Sequence, residues 1–229
     1  MDFVGIDKFS LLDYDEKVSI VLFSPACNFR CPFCHNGKSV LNSTTYIPFN
    51  EILEYLKTRK GVVDAVVITG GEPTLMPELK ERIRKIRELG FLIKIDSNGT
   101  NPEILEELIN LKLIDYIAMD IKNSPGLYPE TVGIPTFDIT NVEKSKNLLL
   151  SGDTNYEFRT TVVAQLHDAA SFEAIGPWLA GAERYFLQAF TDRDTVAFSG
   201  FSAPSLEETY TVRSSPSTRR IRTACFTTL

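Results

Sequence analysis

The sequence contains little cysteine, and most of it lies in one place. Four cysteines occur among 229 residues: Cys27, Cys31 and Cys34 lie close together, and Cys225 lies near the end. A secreted domain that depends on disulfide bonds carries more cysteines, spread along the chain. We therefore expect a protein of a reducing compartment, the cytoplasm.

A positive charge excess and long hydrophobic runs are also missing. The net charge is −6, whereas a nucleic-acid-binding domain carries a basic excess or a basic stripe. Residues 18–26 form the longest uncharged apolar stretch near the start, far shorter than the roughly 20 residues that a membrane helix needs. We therefore expect no nucleic-acid partner, no membrane span and no signal peptide.

Six short apolar runs alternate with segments of helical periodicity. They cover residues 18–23, 62–68, 91–95, 114–119, 156–163 and 184–190. Nearly continuous apolar character is typical of parallel strands that are covered on both faces. The alternation favours a parallel α/β sheet, either doubly wound or barrel-like. Because six units are fewer than the eight of a closed barrel, we expect a partial (β/α)6 TIM-type barrel, open on one side.

Helical periodicity is clearest at residues 49–56, 79–89 and 104–109. A helix at residues 172–179 is less well supported because a Gly-Pro pair at 176–177 interrupts it. Helix ends are indicated by Asn101 before Pro102, by Gly90, and by a capping box of Thr140 and Glu143.

Composition divides the chain into two parts. Residues 1–201 are predicted to form one domain, and residues 202–229 a Ser/Thr/Arg-rich tail that is loosely packed or disordered. The single Trp178 shares a helical stripe with Ile175 and Leu179, so we expect it in the core.

The three clustered cysteines directly follow the first predicted strand. The carboxyl end of such a strand is where α/β barrels place reactive groups. A Cys-x-x-x-Cys-x-x-Cys loop can hold three corners of a [4Fe-4S] cluster through Cys27, Cys31 and Cys34, leaving one iron open for chemistry. The alternative is a structural zinc ion that takes His35 or Cys225 as its fourth ligand.

Polar residues also follow the other predicted strands. Each has a simple structural explanation on its own, as a turn or a surface pair. The carboxyl ends of successive parallel strands converge, however, so together they predict an active-site face. His167, in a predicted loop, is interpreted as structural or solvent-exposed rather than catalytic. The residues after the second, third and fourth strands are Gly70, Gly71 and Glu72; Asp96, Ser97 and Asn98; and Asp120 and Lys122; around the fifth lie Arg159, Gln165 and His167.

These motifs resemble the radical S-adenosylmethionine (SAM) superfamily over residues 18–190. The resemblance rests on Cys-x-x-x-Cys-x-aromatic-Cys, with Phe33 as the aromatic residue, and on Gly-Gly-Glu-Pro at residues 70–73. The sequences at 31–36, 96–100 and 119–122 further resemble glycyl-radical-enzyme activases, a group that includes the activators of pyruvate formate-lyase and of anaerobic ribonucleoside-triphosphate reductase.

The resemblance implies a mechanism and a set of roles. SAM would bind the open iron, and one electron from the reduced cluster would split SAM to give a 5′-deoxyadenosyl radical. In activases that radical takes a hydrogen atom from a glycine of a partner glycyl-radical enzyme. A flavodoxin or a ferredoxin is the implied electron donor. The implied SAM-binding residues are Phe33, Gly70, Gly71, Glu72, Ser97, Asn98, Lys122 and Arg159, with Glu72 receiving the methionyl amino group; Asp96 and Asp120 resemble positions that help hold a monovalent cation.

Two departures narrow the resemblance. Cys225 alone cannot supply the inserted cluster domain of the larger activases. The sixth strand ends in Gln188-Ala189-Phe190, without the histidine found near there in pyruvate formate-lyase activators. We therefore favour the reductase-activating branch. The alternatives are another radical SAM enzyme acting on a small molecule or peptide, and a non-enzymatic zinc or electron-transfer module.

Overall fold

A computed structural model describes residues 2–38, 45–196 and 198–205, and the main chain of 222–224. Within these residues no helix combines the length and the apolar character that crossing a membrane requires. Cys225 lies outside the described residues, as do residues 206–221 and 226–229.

Eight strands form one sheet in which spatial order follows chain order. The first pair is antiparallel and every later pair is parallel. Consecutive order is the winding of a barrel rather than of a doubly wound sheet, and no pairing among the described residues joins the first strand to the last. The predicted partial barrel is confirmed. The strands are β1 Gly5–Ser10, β2 Ser19–Ser24, β3 Ala65–Gly70, β4 Leu92–Ser97, β5 Tyr116–Asp120, β6 Asn155–Val162, β7 Arg184–Ala189 and β8 Arg222–Ala224.

The helices of the described residues are α1 Phe49–Lys57, α2 Leu79–Glu88, α3 Pro102–Asn110, α4 Tyr128–Thr131, α5 Thr140–Ser151 and α6 Ala169–Trp178, with 3-10 turns at Pro73–Leu75 and Pro125–Leu127. Gly90 ends α2 with φ +96°, as predicted. Helix α6 continues through Pro177, which lies in its last turn, so the expected interruption is only a terminal feature.

The predicted capping box at Thr140 is wrong. The main-chain nitrogen and Oγ1 of Thr140 both donate to Asp138 Oδ1, at 2.9 and 2.6 Å. No side chain of the described residues caps α5. A capping box forms instead at α6, where Asp168 Oδ1 accepts from the main-chain nitrogen of Ser171 at 2.8 Å. Asn101 precedes α3 as predicted, but its side chain donates to Thr74 Oγ1 rather than capping the helix.

The two faces of the sheet differ in chemistry. The outer face carries residues such as Ile20, Ile68 and Ile117, which are fully buried in the main apolar core. The inner face is apolar on β2 and β3 but charged on β4 and β6, where Lys94 Nζ lies 3.2 Å from Glu157 Oε1. Ion pairs therefore fill the part of the barrel interior next to β4 and β6. The apolar runs in the sequence do not predict these ion pairs.

The connection between β1 and β2 closes the base of the barrel. Its Tyr14 ring lies 5.6 Å from the Tyr116 ring, centroid to centroid. The main-chain carbonyl of Asp13 accepts a 2.6 Å hydrogen bond from Lys94 Nζ. The opposite end, where the parallel strands finish, remains for the functional loops.

Candidate functional site

The cysteine loop leaves β2 through Ala26, which has φ +57°. Below the loop, the Phe29 ring contacts Phe137 and Tyr128 edge-on, at centroid distances of 5.1 and 6.4 Å. The main-chain nitrogen of Phe29 donates to Cys27 Sγ at 3.3 Å. The loop is thus anchored by an aromatic cluster on the segment that follows β5.

Burial keeps two of the three thiols protonated in the protein alone. It raises the pKa of Cys27 to about 11 and that of Cys31 to about 12, because a thiolate is poorly solvated there. The positive charge of Lys122 acts in the opposite direction on both thiols. A metal that takes the place of the protons would remove this penalty, since thiolates are the ligands that metals bind.

The loop after β3 lies directly against the cysteine loop. A Cβ added to Gly71 would overlap the carbonyl oxygen of Ala26. Gly70 has φ +111°, and a Cβ added there would overlap the main chain of Ser24. The main-chain nitrogen of Glu72 donates to the Ala26 carbonyl at 2.8 Å. Only glycine allows the two loops to approach this closely.

The carboxylate of Glu72 is completely buried. Oε1 accepts from Thr74 N at 3.1 Å, Thr74 Oγ1 at 2.6 Å and Ser97 Oγ at 2.9 Å, and Oε2 accepts from the main-chain nitrogen of Asn98 at 2.6 Å. Burial raises the pKa of Glu72, and these donors oppose the rise. The carboxylate therefore joins the loop after β3 to the turn after β4.

The side chain of Asn98 joins that turn to the cysteine loop. Its Nδ2 donates to Asn28 Oδ1 at 2.8 Å and points toward Cys27 Sγ at 3.9 Å. Thr100 donates to Asn98 Oδ1 through N and Oγ1, at 3.0 and 2.7 Å, and its Oγ1 accepts from Asn28 Nδ2 at 2.8 Å. These bonds fix the orientation of the Asn98 amide.

A chain of ion pairs follows the ends of β4, β5 and β6. Arg159 donates through Nη1 to Asp96 Oδ2 at 3.2 Å and through Nη2 to Asp120 Oδ1 at 3.1 Å. Lys122 Nζ donates to Asp120 Oδ2 at 2.9 Å. Burial would raise the pKa of Asp120, but the cations of Lys122 and Arg159 outweigh it and hold the pKa below its ordinary value.

The same pairs bear on the predicted monovalent cation. Both carboxylates already contact Arg159, so a bound cation would share them with a guanidinium. One oxygen remains available: Asp96 Oδ1 is buried without a hydrogen-bond partner among the described residues, with Lys94 Nζ 3.8 Å away. The cation site stays a prediction.

Phe33 and His35 lie on the side of the loop toward β7. Phe33 is buried with Val163 and Phe190. His35 stacks on Phe190 at 5.1 Å, and its Nε2 lies 2.8 Å from the Thr191 carbonyl, to which it donates. In the part of the chain that the structure describes, no group of three or more His, Cys, Asp or Glu side chains is arranged to hold a metal ion.

The family model described as "Radical SAM superfamily" matches residues 21–144, more than half of the chain. The chain belongs to the radical SAM superfamily.

Two relatives show how far the similarity extends. A Methanocaldococcus jannaschii protein named "Putative glycyl-radical enzyme activating enzyme" is 38% identical over 194 residues, which is 83% of this chain and 80% of that protein. A Saccharolobus solfataricus protein named "Probable GTP 3′,8-cyclase" is 30% identical over 139 residues, or 58% of this chain. This chain covers only 43% of the length of the second protein.

Solved structures support the fold. The structure of Streptococcus suis SuiB bound to S-adenosylmethionine has a TM-score of 0.68 at 15% identity, covering 89% of this chain and 51% of that one. The structure of TYW1 with a lysine-pyruvate adduct has a TM-score of 0.60 at 19% identity, covering 85% and 71%. At these identities the likeness concerns the fold alone.

Membership of the radical SAM superfamily implies a [4Fe-4S] cluster and SAM, and the site fits both. Cys27, Cys31 and Cys34 offer three soft ligands from one loop. In a cubane each thiolate binds its own iron, so the sulfurs need not converge on one ion as they would around zinc. The positive charge of Lys122 lies close enough to act on Cys31.

The structure brings the predicted site residues to the carboxyl ends of β2 to β6. Sequence reasoning missed Asn28, Thr74 and Thr100, whose hydrogen bonds hold the loops together. Asn28 directly follows Cys27, and Thr100 ends the 96–100 motif; these positions are the signal that could have identified them. The interpretation of His167 as structural agrees with its contacts: it is buried, accepts from the Val163 main-chain nitrogen at 3.1 Å, and donates to the Lys122 carbonyl at 2.8 Å.

Proposed function

We propose that this radical SAM enzyme is an activase that generates a glycyl radical on a partner enzyme, an anaerobic ribonucleoside-triphosphate reductase. The observation that carries the proposal is the 38% identity, over most of both chains, to a protein named as a glycyl-radical enzyme activating enzyme. The choice of the reductase among such partners rests on the sequence Gln188-Ala189-Phe190 at and just after the end of β7, which lacks a histidine.

In this proposal Cys27, Cys31 and Cys34 hold the cluster. When bound, the cluster and SAM would supply the reductive cleavage of the SAM carbon–sulfur bond and a radical that abstracts hydrogen. The chain's own part is to orient the bound groups and to exclude water, because a misplaced radical is quenched unproductively.

Each remaining residue has a physical reason for its proposed role in SAM binding. Lys122 offers a half-buried cation to the methionyl carboxylate, and Asp120 keeps it protonated. The main chain at Gly70 and Gly71 gives close access to a polar group because no side chain intervenes. The apolar surface at Phe33 suits an adenine ring. Ser97 and Arg159 complete the wall of the proposed SAM pocket.

The unclosed sheet supports a macromolecular substrate. A loop of a partner must reach the reacting atoms at the inside of the barrel, and an open side admits it without unfolding either protein. A flavodoxin or ferredoxin as electron donor, and a cytoplasmic location, belong to the same proposal.

A second candidate is a radical SAM reaction on a small molecule. It is favoured by the 30% identity to the protein named as a GTP 3′,8-cyclase, although the match spans 58% of this chain. The same cluster and SAM site would serve both reactions, so the geometry of the cysteine loop does not separate them.

The proposal is tested by electron paramagnetic resonance. The reconstituted, reduced protein is mixed anaerobically with SAM and an anaerobic ribonucleoside-triphosphate reductase from the same organism. We expect a protein radical on the reductase whose hyperfine splitting collapses when the reductase carries α-deuterated glycine, with deuterium recovered in 5′-deoxyadenosine. The Cys31→Ala variant is the control. A product from GTP, with no radical on the reductase, would support the second candidate instead.

A further inference from the structure

The four hydrogen bonds to Glu72 leave little capacity for a ligand. Three donors already reach Oε1, and Oε2 accepts the 2.6 Å bond from the Asn98 main chain. The residue has no exposed surface. The methionyl amino group that the resemblance implies could therefore bind only at Oε2, which keeps one accepting position. Because the side chain is fully buried, the surrounding loops would first have to move apart.

The Asn98 side chain continues the connection toward the cluster ligand. Its Nδ2 donates to Asn28 Oδ1 at 2.8 Å and lies 3.9 Å from Cys27 Sγ. The amide cannot rotate, since Thr100 occupies Oδ1 with two donors. The position of the Asn98 main chain, which Glu72 sets, therefore determines where the amide N–H points.

We propose that Glu72 is a positioning residue which, through Asn98, aims an N–H donor at the sulfur of Cys27, and does not itself bind SAM. The two residues form a clamp, the Glu72–Asn98 clamp, that joins three loops: the cysteine loop, the loop after β3 and the turn after β4. This inference does not depend on the identity of the partner enzyme.

The clamp has an electronic consequence. A hydrogen bond to a cysteine sulfur stabilises the more negative, reduced state of an iron–sulfur cluster and so raises its reduction potential. At 3.9 Å, N to S, the contact in the protein alone is long. It strengthens when the sulfur becomes a thiolate, because charge-assisted hydrogen bonds are shorter and stronger. Loosening the clamp makes the cluster harder to reduce even when no SAM is present.

Two substitutions probe the clamp from different sides. Glu72→Gln turns one carboxylate oxygen into an NH2 group; if that group faces the Asn98 N–H, donor meets donor and the turn is displaced. Thr74→Val removes one of the Oε1 donors, whereas Thr74→Ser keeps the hydroxyl. Thr74 is not among the proposed SAM-binding residues. Glu88→Gln, which makes the same charge change at an exposed position of α2, is the matched control.

The reduction potential of the reconstituted cluster is measured without SAM, and the SAM dissociation constant separately. We expect Glu72→Gln and Thr74→Val to shift the potential to more negative values, while Thr74→Ser and Glu88→Gln match the wild type. The SAM dissociation constant of Thr74→Val should rise by less than about tenfold, the equivalent of one net hydrogen bond.

An unchanged SAM-free potential in both Glu72→Gln and Thr74→Val would overturn the proposal. With that potential unchanged, a loss of more than about tenfold in SAM affinity for Glu72→Gln would place the carboxylate against the amino group instead. If Glu72→Gln does not fold, the comparison of Thr74→Val with Thr74→Ser decides alone.

Discussion

At the scale of single residues, Gly71 is the position where two functional loops meet most closely. Any side chain there would overlap the Ala26 carbonyl, which also accepts the Glu72 main-chain hydrogen bond. The clash is with backbone, so no flexible group can move aside. A change at Gly71 must separate the cysteine loop from the loop after β3.

Gly71→Ala should therefore reduce the iron bound per chain after reconstitution and lower the free energy of unfolding by about 1–3 kcal/mol, the usual cost of overpacking. Gly126→Ala is the control, because a Cβ at Gly126 meets no atom within 4 Å. Iron analysis and chemical denaturation measure the two effects. Full iron binding in Gly71→Ala would show that the loops do not need this approach.

His167 makes stability depend on pH. Burial lowers its pKa from the ordinary 6.5, so the folded protein holds the neutral ring that accepts from Val163 and donates to Lys122. A lowered folded-state pKa contributes stability above pH 6.5 that is lost as pH falls through the folded-state value.

The free energy of unfolding of the wild type should fall as the pH is lowered from 7 to values below about 6.5. In His167→Gln this decrease should be smaller. His35, whose pKa burial also lowers, retains its own share, so the slope decreases without vanishing. Urea unfolding of both proteins across this range measures the difference. Parallel curves would mean that His167 is protonated equally in the folded and unfolded states.

At the scale of elements, the strongest signal in the sequence is the continuous apolar run, and all six runs became parallel strands. Strand β1 was missed because Gly5–Ser10 mixes glycine, charged and apolar residues and is exposed over half its length. Among the described strands it pairs with β2 alone, with an irregularity between Asp7 and Ser10. Such an edge strand is defined by its neighbour rather than by its own composition.

Capping shows the same dependence on context. Thr140 and Glu143 fit the capping-box pattern, yet Asp138 takes the bonds of Thr140. At α6 the box uses Ser171 in the position where glutamate or glutamine is usual, so the pattern did not reveal it. Competing side chains one or two residues away decide such cases.

Asp168→Ala should consequently lower the free energy of unfolding by about 1 kcal/mol, the usual cost of losing an N-cap. Thr140→Ala should cost only a few tenths, roughly the value of one exposed hydrogen bond. Chemical denaturation of the two variants compares them directly. Equal losses would indicate that the box predicted at Thr140 forms in solution.

At the scale of the whole molecule, the sequence predicts which loops form the site but not how they are joined. The convergence at the carboxyl ends of the strands follows from parallel topology alone. The Glu72–Asn98 clamp and the Lys94–Glu157 pair inside the barrel join residues that are 26 and 63 positions apart. No local pattern signals them, because they exist only once the sheet has curved.

The central claim is that three thiols on one loop hold a cluster that cleaves SAM. It is tested most directly by incubating the reconstituted, reduced protein with SAM under anaerobic conditions and assaying 5′-deoxyadenosine, alongside Cys31→Ala. The account predicts iron and sulfide in the wild type, 5′-deoxyadenosine as product, and loss of that product in the variant. Equal product from both proteins, or zinc without sulfide in the purified wild type, would contradict it.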